Sequence, residues 1–192
     1  DDWWAKSKLK KQVDFFLKDQ TTEILYSNAF VYSEKKKTSK IFIKKKLNSG
    51  KLTQKLLDKF EMPILSVMIK KNIFNQIKFD DRYTMIGDFD FFIRLSLIKK
   101  IAVIQEPLVY YRYHDSNLTT KKADLNIQEL ENWLTEKVKN KKLKYYNFSK
   151  IYRLIELLKI KKNFLKGNNL KVVFGILKRP LLIFDYLRLK LV

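Results

Sequence analysis

The 192 residues carry 41 Lys+Arg against 20 Asp+Glu, a formal charge of +21, with one histidine and no cysteine. At 46% hydrophobic and 14% aromatic residues, the chain can bury the core of one domain or slightly more, which excludes a disordered tail. The lack of cysteine excludes disulfides and thiolate metal sites and agrees with a reducing compartment.

The positive field favours nucleic acid, anionic lipid or phosphorylated substrates. Lysine far outnumbers arginine, so it suits diffuse attraction to phosphate better than base reading. A genomic bias towards lysine, asparagine and isoleucine would give the same balance with no partner. Lysines interrupt every apolar run well short of the roughly 18 residues a spanning helix needs, so no membrane crossing is expected. The N-terminus has acids and tryptophans where an export signal would have a basic and then an apolar stretch. A cytoplasmic location is expected, and the opening at Asp1 in mid-pattern predicts a piece of something longer.

In chain order, Leu9, Val13, Phe16 and Leu17 recur at helical spacing with Lys6, Lys10, Lys11 and Lys18 around them, which predicts an amphipathic helix. Ile24 to Tyr32 is aromatic and β-branched without helical period and reads as a largely buried strand. Lys35 to Lys37 form a solvated turn, Ile41 to Ile43 a short return strand, Leu47 to Gly50 a loop, and Leu52 to Phe60 a short helix that Pro63 stops. Ile64 to Ile69, apolar throughout, fits a central strand covered on both faces. A brief helix is expected around Asn72 to Ile77.

Gly87 then opens a helical run in which Phe92, Ile93 and Leu95 follow Asp88 and Asp90. Both acids fall in the first turn, where exposed amides and the helix dipole stabilise negative charge. Two residues apart on a helix they point to different sides and do not form one paired acid/base site. Phe91 and Phe92 read as core. Ile101 to Ile104 is a short strand ending near Pro107, and Leu108 to His114 a second, with Arg112 and His114 on the same side of it. Asp115, Ser116 and Asn117 make a turn.

From about Lys121 the pattern is helical without strands, Ile127, Leu130, Leu134 and Val138 forming one face, so residues 1–120 and 121–192 are expected as separate regions. The second holds 18 basic and 6 acidic residues, interleaved with Tyr145, Tyr146, Phe148, Tyr152, Phe164, Phe174, Phe184 and Tyr186. Such helices suit an anionic membrane surface as well as they suit an ordinary lysine-coated subdomain.

Several of these stretches, in this order, resemble the second half of a family 2 glycosyltransferase with the GT-A fold, over Asp1 to about Thr120. DDWWAKSKLKKQV resembles the segment starting at the last aspartate of the family's Asp-x-Asp motif. ILSVMIKKNIF followed by FDDRY resembles its acceptor-side strand and Phe-Asp-Glu turn, with Asp81 for the glutamate. IGDFDFFIRLS resembles the Glu-Asp motif and the helix after it, with Gly87 where a glutamate is often found. EPLVYYRYHDSNLT resembles the Tyr-Arg-x-His strand end.

The resemblance implies an α/β fold, an incomplete GT-A (Rossmann-like) mixed sheet with flanking helices, followed by an all-helical tail. The nucleotide-binding half would precede Asp1. It makes Asp88 the general base, Asp1 and His114 ligands of Mg²⁺ or Mn²⁺, and Asp2, Asp90, Arg94 and Arg112 supports of the donor and acceptor sites. The partners implied are a nucleotide-sugar donor and a saccharide or lipid-linked acceptor, with the basic tail at the inner face of the cytoplasmic membrane and no nucleic acid. The alternative that the residues themselves leave open is a non-catalytic module binding nucleic acid or an anionic surface.

Overall fold

Ile24–Ser33 is a ten-residue strand whose first six residues are all buried, as its β-branched and aromatic content predicts. The computed structural model to which it belongs describes residues 1–168, Val172 and Gly175. Phe174, Phe184 and Tyr186, counted above among the tail aromatics, lie outside the described residues. The chain divides into two compact units, Asp1–Asn117 and a second beginning at Leu118.

The first unit is mixed α/β. Its elements are β1 (Trp3–Trp4), α1 (Lys8–Lys18), β2 (Ile24–Ser33), β3 (Thr38–Ile41), α2 (Thr53–Asp58), β4 (Met68–Ile69), α3 (Gly87–Ser96) and β5 (Ala102–Tyr113), with 3-10 turns at Ile64–Ser66 and Lys71–Asn75. They build a mixed five-stranded sheet in the order β1-β5-β2-β3, with β4 also on β2. β2 and β5 are parallel, whereas β1, β3 and β4 pair antiparallel with their neighbours.

Two strands differ from the sequence expectation. Ile64 to Ile69 is a 3-10 turn and a two-residue strand, half-buried, not a central strand. Ser66 is the cause. Its N–H and Oγ both bond back to the Pro63 carbonyl, at 2.9 and 2.7 Å, and Oγ accepts the Ser27 N–H at 3.2 Å, so a side chain replaces the ladder.

The two strands expected on either side of Pro107 are one, Ala102–Tyr113. Pro107 stands opposite Asn28, where the β2/β5 register slips, so the missing proline N–H falls at an irregularity. The return strand also lies earlier than expected, at Thr38–Ile41, because the hairpin closes over Glu34 to Lys37 with Lys37 at φ 52°.

Helix α1 forms where expected but faces the other way. Leu9, Val13 and Leu17 are exposed, while Lys8 and Gln12 are buried. Gln12 Nε2 donates to the Ser66 carbonyl at 2.8 Å, and the Lys8 ammonium lies 4.0 Å from the Trp4 ring centroid, so polar tips anchor the helix. Burial holds the Lys8 pKa below its usual value.

Asn28 repairs the slip. Its Nδ2 donates to the Ile43 carbonyl at 2.8 Å, and its Oδ1 accepts the N–H of Ala29 at 2.9 Å and of Ile43 at 3.2 Å. One side chain thus does the work of a pairing strand for Ile43 in a site only 4% exposed.

In the second unit α4 (Leu118–Lys121) leads to α5 (Ala123–Lys137) and α6 (Ser149–Leu165). Ile127, Leu130 and Leu134 are buried, and Val138 is half-buried. Fully buried Trp133 meets Phe148 edge-on at 6.2 Å. The ion pairs Lys159–Glu131, 2.7 Å, and Lys162–Asp124, 2.5 Å, tie α6 to α5.

Replacing Asn28 with alanine removes three buried hydrogen bonds and leaves the backbone groups of Ile43 unsatisfied. The expected loss is about 2–4 kcal/mol in urea unfolding. An unchanged midpoint would show that the slip needs no such brace.

Candidate active site

Parallel strands end on one side of a sheet, and the crevice outside those carboxyl ends is where α/β proteins gather functional side chains. At this end Glu34 follows β2 and His114 follows β5, and β1 brings the N-terminus beside them through Trp3 opposite Tyr110. Trp3 stacks on Tyr110 (4.9 Å, 8°), and Tyr110 stacks on Phe30 (5.0 Å). An aromatic row therefore fixes β1 across three strands.

Asp1 Oδ2 is in direct hydrogen-bond contact with His114 Nε2. The other ring nitrogen accepts the Ser116 N–H at 3.3 Å, with the Ser116 hydroxyl 2.7 Å away. An Nδ1 that accepts a backbone N–H leaves the ring proton on Nε2, aimed at Asp1. Asn117 braces the same turn, its Oδ1 accepting the His114 N–H at 2.7 Å and its Nδ2 donating to the Arg112 carbonyl at 3.2 Å.

Asp2 and Arg112 meet through the backbone: Asp2 Oδ1 accepts the Arg112 N–H at 2.7 Å. The Arg112 guanidinium turns to Glu34, 2.7 Å from Nη2 to Oε1, and that hydrogen bond holds the Glu34 carboxyl below its ordinary pKa. β5 stops at Tyr113, so His114 belongs to the turn and not to the strand face that spacing predicted for it with Arg112.

Asp88 and Asp90 lie two positions apart in the first turn of α3 and have opposite surroundings. Asp88 Oδ1 accepts the Phe89 N–H at 2.7 Å, the residue's own N–H also bonds the carboxylate, and no side chain among the described residues does. Burial pushes the Asp88 pKa up against the pull of its backbone hydrogen bonds. Asp90 is 0% exposed and accepts Arg94 Nε at 2.7 Å, while Arg94 Nη2 donates to the Lys78 carbonyl at 2.9 Å. The Asp90–Arg94 pair thereby ties α3 to the segment before it.

Phe91, also fully buried, stacks on Phe79 at 4.2 Å, and Phe92 lies 6.3 Å from Phe60, so both aromatics are core. In the FDDRY turn Asp80 is gripped by the Arg82 fork, which holds its pKa down to about 2, while Asp81 is exposed. Around Gly87 no atom lies within 4 Å of an added Cβ, so a glutamate would fit there.

The structure therefore joins Asp1 to His114, Asp2 to Arg112, and Asp90 to Arg94. No hydrogen bond or ion pair joins Asp88 to Asp1, Asp2, Arg112 or His114. Sequence reasoning missed Glu34 and the bracing roles of Ser116 and Asn117. The Asx-turn pattern of HDSN was the available signal for the last two, and Glu34 had none.

Among the described residues no group of three or more His, Asp or Glu side chains could hold a metal ion. A carboxylate beside an imidazole fits a cation that shares diphosphate oxygens, since Mg²⁺ takes only one or two protein ligands in such sites. No family model matches the chain, and no curated protein is significantly similar to it.

Asp90→Asn should cost about 2–4 kcal/mol of stability, less than the loss of a fully buried pair because Arg94 is partly exposed. The Asp88 effect has the opposite sign. A carboxyl whose folded pKa is raised weakens the fold as pH rises through that pKa, and the penalty vanishes below the unfolded value. Asp88→Asn should therefore raise Tm at neutral pH and lose that advantage as the pH falls into the ordinary carboxylate range. Thermal unfolding across pH reads both variants, and a lowered Tm for Asp88→Asn at pH 7 would contradict the burial of an ionised group.

Proposed function

We propose that the first unit is the acceptor-side half of an inverting glycosyltransferase of family 2 type with the GT-A fold. It moves a sugar from a nucleotide diphosphate to a saccharide or lipid-linked acceptor in cell-surface polysaccharide synthesis. The observation that carries the proposal is the Asp1–His114 contact at the carboxyl ends of the parallel pair β2 and β5. Two residues from opposite ends of the unit meet where a phosphate-bearing donor would lie.

Asp88 supports the same reading. The carboxylate is oriented by the Phe89 amide at Oδ1 and has no side-chain partner among the described residues, which leaves it open to a proton as a general base requires. Its raised pKa makes it a stronger base than a solvent-exposed aspartate. Helix α3 ends at Ser96, close in sequence to the start of β5 at Ala102. In a crossover of this kind the helix runs antiparallel to the strand it feeds, which would aim the α3 N-terminus at the carboxyl end of β5.

In the reaction the acceptor oxygen attacks the anomeric carbon, the bond from that carbon to the diphosphate oxygen breaks, and the acceptor proton passes to the Asp88 carboxylate. One displacement at one carbon inverts its configuration. Asp1 and His114 would hold Mg²⁺ or Mn²⁺ in place of the Nε2 proton that His114 now directs at Asp1, and the bound cation would neutralise the departing diphosphate charge. Arg112 steadies this corner through Asp2 and Glu34, and the exclusion of water falls to the aromatic packing around α3.

The test is transfer from a panel of nucleotide sugars by the chain in its complete reading frame. Asp88→Asn should lower kcat by about a hundred- to ten-thousand-fold with nucleotide binding retained. The acid limb of kcat/KM should lie above the ordinary carboxylate range, because the base must be ionised and burial raises its pKa. An Asp88→Asn enzyme with normal turnover would overturn the assignment.

A further inference from the structure

Between Lys35 and Lys59 the chain holds ten lysines in 25 residues, with Asp58 the one acid. Lysine and arginine together make up 41 of the 192 residues, so this density is about twice the background that base composition would spread evenly. Each of the ten is exposed. Lys45 and Lys59 pair with Glu61, at 3.2 and 2.7 Å, and none of the other eight forms an ion pair among the described residues.

The lysines also have a place in the fold. Lys35, Lys36 and Lys37 cap the β2–β3 hairpin, Lys40 lies on β3, and Lys44 to Lys46 follow it. Lys55 and Lys59 come from α2 and its end. Lys45, Lys46, Lys55 and Lys59 ring a cavity of about 380 Å³, with Tyr26 and the two carboxylates Asp58 and Glu61 also lining it. Burial and the nearby Glu61 charge push the Tyr26 phenol up to about 12, and its hydroxyl donates to the Asn48 carbonyl at 2.7 Å. Tyr26 is thus a neutral wall, and of the four ring lysines Lys46 and Lys55 form no ion pair among the described residues, Asp58 being held by Gln54 at 2.9 Å.

Next to the lysines, Ile41 and Phe42 are 39% and 42% exposed, while Ile43 turns into the core at 6%. Protection of a sheet edge explains charge on β3 itself. It explains neither the lysines beyond the strand nor two exposed apolar side chains among them.

We infer that this surface docks the protein on an anionic lipid bilayer, with Ile41 and Phe42 at the acyl boundary and headgroup phosphate in the lysine-ringed cavity. Flexible point charges on long stems match a fluid plane of phosphodiesters. Apolar residues flanked by cations are the arrangement by which a surface binds at the interface without spanning it. A polynucleotide would satisfy the charge but not the exposed isoleucine. The surface belongs to the first unit, whereas the basic helices that begin near Lys121 belong to the second. It does not depend on the transferase reading.

The experiment is co-sedimentation of the full chain with vesicles of phosphatidylcholine alone or with about 30% phosphatidylglycerol. Binding should need the anionic lipid and weaken with salt. Reversing Lys44, Lys45 and Lys46 to glutamate should lower the partition coefficient by roughly tenfold or more, since each cation near an anionic surface contributes about a fivefold factor before screening. Reversing Lys139, Lys141 and Lys142, which are equally exposed, changes net charge by the same amount and should cost less than about threefold. Phe42→Ser should weaken the part of binding that survives high salt. Equal losses from the two reversals would mean that net charge alone drives binding and would overturn the proposal. So would no preference for anionic vesicles, or tighter binding to random oligonucleotides that the first reversal abolishes.

Discussion

Ile24–Ser33 and Ala102–Tyr113 run parallel, and a parallel pair can only be closed by a long crossover, here everything from β3 to α3. That constraint dictates the rest of the first unit. The crossover must return the chain to the start of β5, which puts α3 beside the sheet with its buried Phe91, Phe92, Ile93 and Leu95. It also brings the ends of both strands out on one side, where Asp1, Glu34, Arg112 and His114 converge. The register is imperfect around Asn28, and the imperfection is absorbed locally: a proline sits on one strand where no N–H is needed, and an amide on the other supplies the missing bonds to Ile43. The pairing beyond the slip, from Ala29 to Ser33, is what delivers the site residues, so the candidate site depends on a buried asparagine far from any chemistry.

Two aspartates in one helical turn show how the same residue type serves opposite ends. Asp90 is wholly buried, yet a guanidinium four residues on and a backbone tether at Lys78 make its charge part of the packing. Asp88 is less deeply placed, has a backbone N–H but no cation, and its charge remains unfavourable. A carboxylate left in that state is costly to the fold and strong as a base, the usual relation between strain and chemistry in such sites. The helix dipole favours both, so it cannot explain the difference. The partner can.

Much of this was legible in the chain and some was not, for physical reasons. β2 is read to within one residue because a buried strand between helical and turn segments has few competing patterns. The core role of Phe91 and Phe92 is equally plain from their period. Ile64 to Ile69 misleads because hydrophobicity says only that a segment is buried, and Ser66 decided the backbone path through bonds that no periodicity registers. Pro107 looked like a strand break because a proline inside a ladder normally is one, and only the register slip opposite Asn28 makes it harmless. In α1 the apolar stripe was visible but the side that packs was not, since Lys8 is held by the nearby Trp4 ring and Gln12 by the Ser66 carbonyl of a distant segment. Asp1 and His114 were picked out together only through motif order; their contact is a tertiary fact that spacing alone could not supply.

The charge is the feature that sequence reads most easily and interprets least well. A total of +21 does not separate a compositional habit from a functional field, because both predict lysine everywhere. Distribution separates them. In the second unit some basic side chains are matched across helices, as Lys159 is with Glu131 and Lys162 with Asp124, while Lys139, Lys141, Lys142 and Lys144 form an exposed run that lines no part of the lysine-ringed cavity. Around the β2–β3 hairpin lysines outnumber the acids Glu34, Asp58 and Glu61 by ten to three and ring a cavity, and two apolar residues stand exposed beside them. Self-repulsion among unpaired cations held on a folded scaffold disfavours that arrangement, salt screens it only in part, and an anionic bilayer laid against them would relieve it.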